Sequence, residues 1–99
     1  MPFVRNTNGD TVTFNRGGFK SDNLVGTVTD RNGALIGAAQ IEILNRSKTG
    51  DNVAFGQTDG AGRFDIDADA DPGDNIFITV TFVDSGGARR VISGTVTSD

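Results

Sequence analysis

Residues 25–45 read VGTVTDRNGALIGAAQIEILN, and residues 58–64 read TDGAGRF. The longer stretch opens on an alternating run, Val25 to Thr29, breaks at Asp30-Arg31-Asn32-Gly33, and alternates again over residues 38–45. There Ala39, Ile41 and Ile43 fall on one side, with Gln40, Glu42 and Leu44 on the other. A two-residue period is the mark of a strand with one buried face, because successive side chains leave opposite faces of the pleat. The interruptions carry Asp, Asn and Gly, which close tight turns through local hydrogen bonds and left-handed backbone. Two such strands, followed by a glycine-rich turn into Phe64, predict antiparallel sheet.

The same grammar extends in both directions. Residues 53–58 form a short strand. Residues 63–70 place Phe64, Ile66, Ala68 and Ala70 on one face, opposite the row Asp65, Asp67, Asp69 and the following Asp71. Asp71-Pro72-Gly73-Asp74 is a turn with proline pre-set for its second position. Residues 76–83 are the most apolar strand, with Ile76, Ile78, Val80 and Phe82 on one face, and after the turn at residues 84–87, residues 89–97 close the sheet. Upstream, Phe3–Arg5, a turn over residues 6–10 and residues 11–14 predict a hairpin, since Asn8-Gly9 supplies the required backbone. Residues 15–23, with Gly17-Gly18, read as a polar connector. No window carries helical spacing with caps, so no helix is expected. Short strands at regular intervals predict an all-β sandwich or barrel. The domain boundaries are an N-terminal arm or hairpin over residues 1–23 and a β-sandwich domain over residues 24–99.

Composition narrows the chemistry. The 99 residues fit one domain. Cysteine and histidine are both absent, which removes disulfides, thiolate metal sites, the usual general base and every Ser-His or Cys-His arrangement. No catalytic residue and no cofactor is expected. Thirteen acidic residues against nine basic give a net charge of −4, unsuited to nucleic acid or anionic lipid. The charge is uneven. Residues 1–23 hold three basic and two acidic residues, a net +1, and the remainder six and eleven, a net −5. The opening residues lack a signal-peptide pattern and no run reaches the length of a membrane span. Synthesis in the cytoplasm without a cleaved signal is therefore expected.

The pattern Gly26-x-Val28-x-Asp30-x-x-Gly33-x-x-x-Gly37-Ala38, then Ile41, then Thr58-Asp59-x-x-Gly62-x-Phe64-x-Ile66, resembles the carboxypeptidase regulatory-like domain family. Gly73-Asp74 and Ile78-Thr79-Val80 continue the likeness over about residues 24–84. The resemblance implies an Ig-like, transthyretin-like antiparallel sandwich of about seven strands, of the kind hung as an accessory module on surface and secreted proteins. The related collagen-adhesin B-type domains tie their strands with a Lys–Asn or Lys–Asp isopeptide bond. Here residues 24–29 hold no Lys and Glu42 is the only Glu, so no such bond is expected.

Candidate sites are few. Asp65, Asp67 and Asp69 are weak Ca²⁺ candidates. Alternate strand residues stand roughly 6.5–7 Å apart, too far to cage one ion without further donors. A solvated acidic face that discourages edge pairing is the plainer reading, and Arg89 or Arg90 is expected to pair with it. Asp30-x-Asn32-Gly33 and Asp59-Gly60 echo fragments of calcium loops but sit where turns need those residues. Arg16-Gly17-Gly18-Phe19 is a single RGG element, read as a hinge. The interaction candidates are Phe3, Val4, Phe14 and Phe19, apolar anchors in the arm. They serve either strand addition onto a neighbouring subunit or a hairpin folded back over the sandwich. The expected function is a non-enzymatic structural protein docking onto other subunits of a larger assembly, as a homo-oligomer or a decoration on a lattice. A bacteriophage virion decoration, cement or tail/fibre subunit ranks first. The alternative is an accessory binding module of a cell-surface receptor or secreted hydrolase.

Overall fold

The computed structural model describes residues 3–15, 23–47, 53–71 and 73–97. It has eight strands: β1 (Phe3–Arg5), β2 (Thr11–Asn15), β3 (Asn23–Thr29), β4 (Gln40–Asn45), β5 (Val53–Gln57), β6 (Arg63–Asp67), β7 (Asn75–Val83) and β8 (Arg89–Thr97). Among the described residues there is no helix. Two antiparallel four-stranded sheets face each other, β1-β2-β3-β6 (sheet A) and β5-β4-β7-β8 (sheet B). The all-β sandwich expected from alternation is the observed fold, with eight strands where about seven were anticipated. The hairpin of residues 3–14 supplies the first two strands of sheet A.

The inward residues are those that alternation selects. Val12 and Val28 of sheet A meet Ile41, Ile43, Ile76, Ile78, Val80 and Ile92 of sheet B, all fully or almost fully buried. Each such side chain removed from water stabilises the fold by roughly 1.5–3 kcal/mol. Phe14 and Phe64 join them in an edge-to-face pair with centroids 5.9 Å apart.

Glycines close the sandwich along both sides. The edge strands β1 and β8 lie together, as do β5 and β6. A Cβ at Gly94 would stand 2.7 Å from Val4 Cγ1, and one at Gly56 would stand 2.7 Å from Ile66 Cδ1. Each seam therefore sets a branched side chain of sheet A over a bare backbone of sheet B.

Four turns share one five-residue design. In residues 6–10, 30–34, 59–63 and 84–88 the first residue is Asn or Asp and the fourth is Gly. The first residue's amide donates to the fifth residue's carbonyl, and the glycine amide donates back to the first carbonyl. The first side chain's Oδ1 accepts the amides of the third and fifth residues at 2.8–3.0 Å. The glycines take φ from +73° to +88°, a region open to residues without a Cβ.

Two strands are shorter than alternation predicts. β4 starts at Gln40 because Ala38 has φ of 57°, and β6 ends at Asp67 because Asp69 has φ of 49°. The burial pattern nevertheless runs on, with Ala39, Ala68 and Ala70 buried.

Candidate functional site

The outer face of sheet B differs from the rest of the surface. Strand register places Val53, Leu44, Phe77 and Thr95 in one row, Phe55, Glu42, Thr79 and Ser93 in the next, and Gln57, Gln40, Thr81 and Val91 in a third. Of these twelve side chains only Glu42 is charged. Phe55 is 73% exposed, and Val53, Val91 and the nearby Val83 are exposed as well. The guanidinium of Arg46 lies 4.7 Å over the Phe77 ring, covering apolar surface with a cation whose stem is also apolar. Sheet A, by contrast, turns Arg5, Arg63, Asp65 and Asp67 outward.

The predicted anchors of the arm separate. Phe3 is 54% exposed, with Arg5 stacked 4.9 Å over its ring. Val4 and Phe14 are buried, because alternation in β1 and β2 turns them inward beside Val12. They are core groups of sheet A and present nothing to a partner, which corrects their reading as docking anchors. Phe19, with the RGG element, lies outside the described residues, as do Lys20 and Lys48.

The acidic row is broken. Asp65 Oδ1 accepts a hydrogen bond from Asn23 Nδ2 at 2.6 Å, and Asp67 Oδ1 accepts the Asp69 amide at 3.1 Å. The left-handed backbone at Asp69 ends the straight face that the sequence suggested. Among the described residues no three His, Cys, Asp or Glu are placed to hold a metal ion. Arg90 does not pair with this row: it lies 3.2 Å from Asp84 Oδ2 and 3.4 Å from Asp10 Oδ2. Asp10 is fully buried, and alternation gave no sign of it, because its partner lies eighty positions along the chain.

The aspartates that echoed calcium loops are turn locks. Hydrogen bonds from the amides of Arg63 and Ala61 hold the Asp59 carboxyl below its ordinary value of 3.8. For Asp84 the Ala88 amide is the largest cause, followed by Arg90 and the Gly86 amide against an opposing desolvation. A carboxyl depressed in the folded state adds stability above its unfolded value, lost as pH falls through its folded value. Thermal melts are therefore expected to hold level down to pH about 4 and to drop below it. In an Asp59→Asn variant that acid limb should be shallower, and an unchanged limb would assign it elsewhere.

Comparison with family models, curated proteins and solved structures gives no match to the chain.

Proposed function

We propose that the protein is a non-catalytic structural subunit that docks through the outer face of sheet B, first of all against a second copy of itself. The observation that carries this reading is the face built on the row Phe55–Glu42–Thr79–Ser93, where exposed Phe55, Val53, Val91 and Val83 stand among neutral polar side chains, with Glu42, Arg46 and Arg89 as its charged groups. Interface centres are depleted in charge and enriched in aromatics. A two-fold pairing sets one patch against its own image, and self-repulsion is least where the protein carries least charge. Four strands at about 4.8 Å spacing, the longest near 30 Å, give a pairing of roughly 1,000 Å² in total. That size fits a reversible contact multiplied over a lattice better than an obligate dimer. A particle surface, such as a bacteriophage virion carrying the protein as decoration or cement, is the proposed setting.

Sedimentation equilibrium tests the reading. The wild-type chain is expected to self-associate as its concentration rises toward about 1 mM, the weak end of measurable affinity. Phe55→Glu places an unpaired charge at the most exposed apolar side chain of the face and is expected to weaken that association by about ten-fold or more. Its melting should change little, since Phe55 is a surface residue. A wild-type chain that stays monomeric, or a variant that associates equally well, refutes this docking mode.

A further inference from the structure

On the opposite side of the molecule a cleft of about 440 Å³ opens between the hairpin of residues 3–14 and the turn of residues 30–34. Its walls include Arg5, Thr11, Thr13, Thr29, Asp30 and Arg31. The volume lies within the range of small-molecule sites. The strand register explains the assembly. Arg5 pairs with Thr11 and Thr11 with Thr29, so one row crosses β1, β2 and β3 with all three side chains outward. Thr13 stands two residues along the same face. Arg31 enters from the turn, where Gly9 allows close approach: a Cβ there would lie 2.9 Å from Arg31 Cβ.

The geometry points to a binding site for an oxyanion (phosphate, sulfate or carboxylate) carried on a small polar molecule. Arg5 is already oriented. Its Nε donates to Thr11 Oγ1 at 2.9 Å, Thr11 Oγ1 donates to the Gly9 carbonyl at 3.1 Å, and the guanidinium stacks on Phe3. Arg5 lines the cleft from this fixed position. Among the described residues Arg90 forms ion pairs, and neither Arg5 nor Arg31 does. Asp30 is not their partner: its Oδ1 accepts the amides of Asn32 and Ala34 and serves its own turn. The cleft thus keeps two positive charges against one negative, with the Thr13 and Thr29 hydroxyls as additional donors. A guanidinium fork meets a carboxylate or phosphate through two parallel hydrogen bonds. Holding that fork beforehand lowers the ordering cost of binding.

This inference stands apart from the docking face and survives its failure. Sodium phosphate, glucuronate and neutral glucose are titrated into the full chain, with amide and arginine Nε resonances followed by NMR. Saturable shifts are expected for phosphate or glucuronate at Arg5, Thr13, Thr29 and Arg31, and none for glucose. Phosphate binding more tightly marks a simple oxyanion site, and glucuronate binding more tightly marks an acidic saccharide using the threonine hydroxyls. Arg5→Gln and Arg31→Gln should each weaken binding by about ten-fold, the scale of one charge-assisted hydrogen bond, and added salt should weaken it further. Since Arg31 is exposed in a turn, its variant separates lost binding from lost fold. Absence of saturable shifts from either anion, equal shifts from glucose, or unchanged affinity in the Arg5→Gln/Arg31→Gln double variant overturns the assignment.

Discussion

Replacing Gly26 by valine is expected to destabilise the fold by at least about 3 kcal/mol, beyond the usual cost of overpacking a core. Gly26 sits in the middle of β3, flanked by Phe14 on β2 and Phe64 on β6. The two phenyl rings meet edge to face above the bare backbone. A Cβ would collide with the Thr13 carbonyl oxygen and stand 2.7 Å from Phe64 Cζ. Neither contact has an easy escape, since the first is backbone within a paired strand and the second is a ring fixed in the core. Aromatic side chains reaching across a strand glycine recover the packing that the glycine itself lacks. The loss corresponds to a fall in melting temperature of about 12 °C or more for a domain of this length. Gly33→Val is the matched control in reverse: its position offers open space but has φ of 82°, so its cost comes from backbone strain alone, about 1–3 kcal/mol. Thermal melts by circular dichroism that place Gly26→Val within 5 °C of the wild-type chain would show that the rings do not use this gap.

What was legible in the sequence follows from the range of the forces involved. Alternation over residues 76–83 identified Ile76, Ile78, Val80 and Phe82 as the inward face, and all four are buried. Period and burial are local consequences of the pleat. The turns were equally readable, because Asp30, Asp59 and Asp84 bind amides only two and four residues ahead. Strand ends were less so: nothing in the composition around Ala38 or Asp69 signals a positive φ, which is imposed by how the chain enters and leaves its sheet. The seams at Gly56 and Gly94 were invisible, since they depend on Ile66 and Val4 arriving from the other sheet. The apolar outer face of sheet B was hidden for a related reason. Phe55, Leu44 and Phe77 each occupy an outward position on a different strand, and only the pairing of β5, β4 and β7 makes them neighbours. Of the two readings of the arm, the hairpin folded back over the sandwich is the one observed, and composition could not choose between them because the choice rests on β2 pairing with β3 along its whole length.

The largest single electrostatic effect should come from Arg90. Its guanidinium joins Asp84, on the turn before β8, to Asp10, on the turn between β1 and β2, and so ties sheet B to sheet A. Asp10 is fully buried, and one of its oxygens, Oδ1, has no hydrogen-bond partner. The other accepts from Asn6 Nδ2 at 2.9 Å, and the same nitrogen also reaches the Val91 carbonyl at 3.1 Å. Arg90→Met preserves the apolar stem and removes the cation ion-paired to this carboxylate. An uncompensated buried charge costs roughly 3–5 kcal/mol. Asp10→Ala is the milder change, about 1–3 kcal/mol, because Arg90 is partly solvated and keeps Asp84. The double variant should therefore lie close to Asp10→Ala alone, since with the carboxylate gone there is no stranded charge left to penalise. Urea unfolding of the four chains measures this cycle directly. An Arg90→Met variant less damaging than Asp10→Ala, or single effects that simply add, would mean that the pair is held by packing and that its charges are incidental.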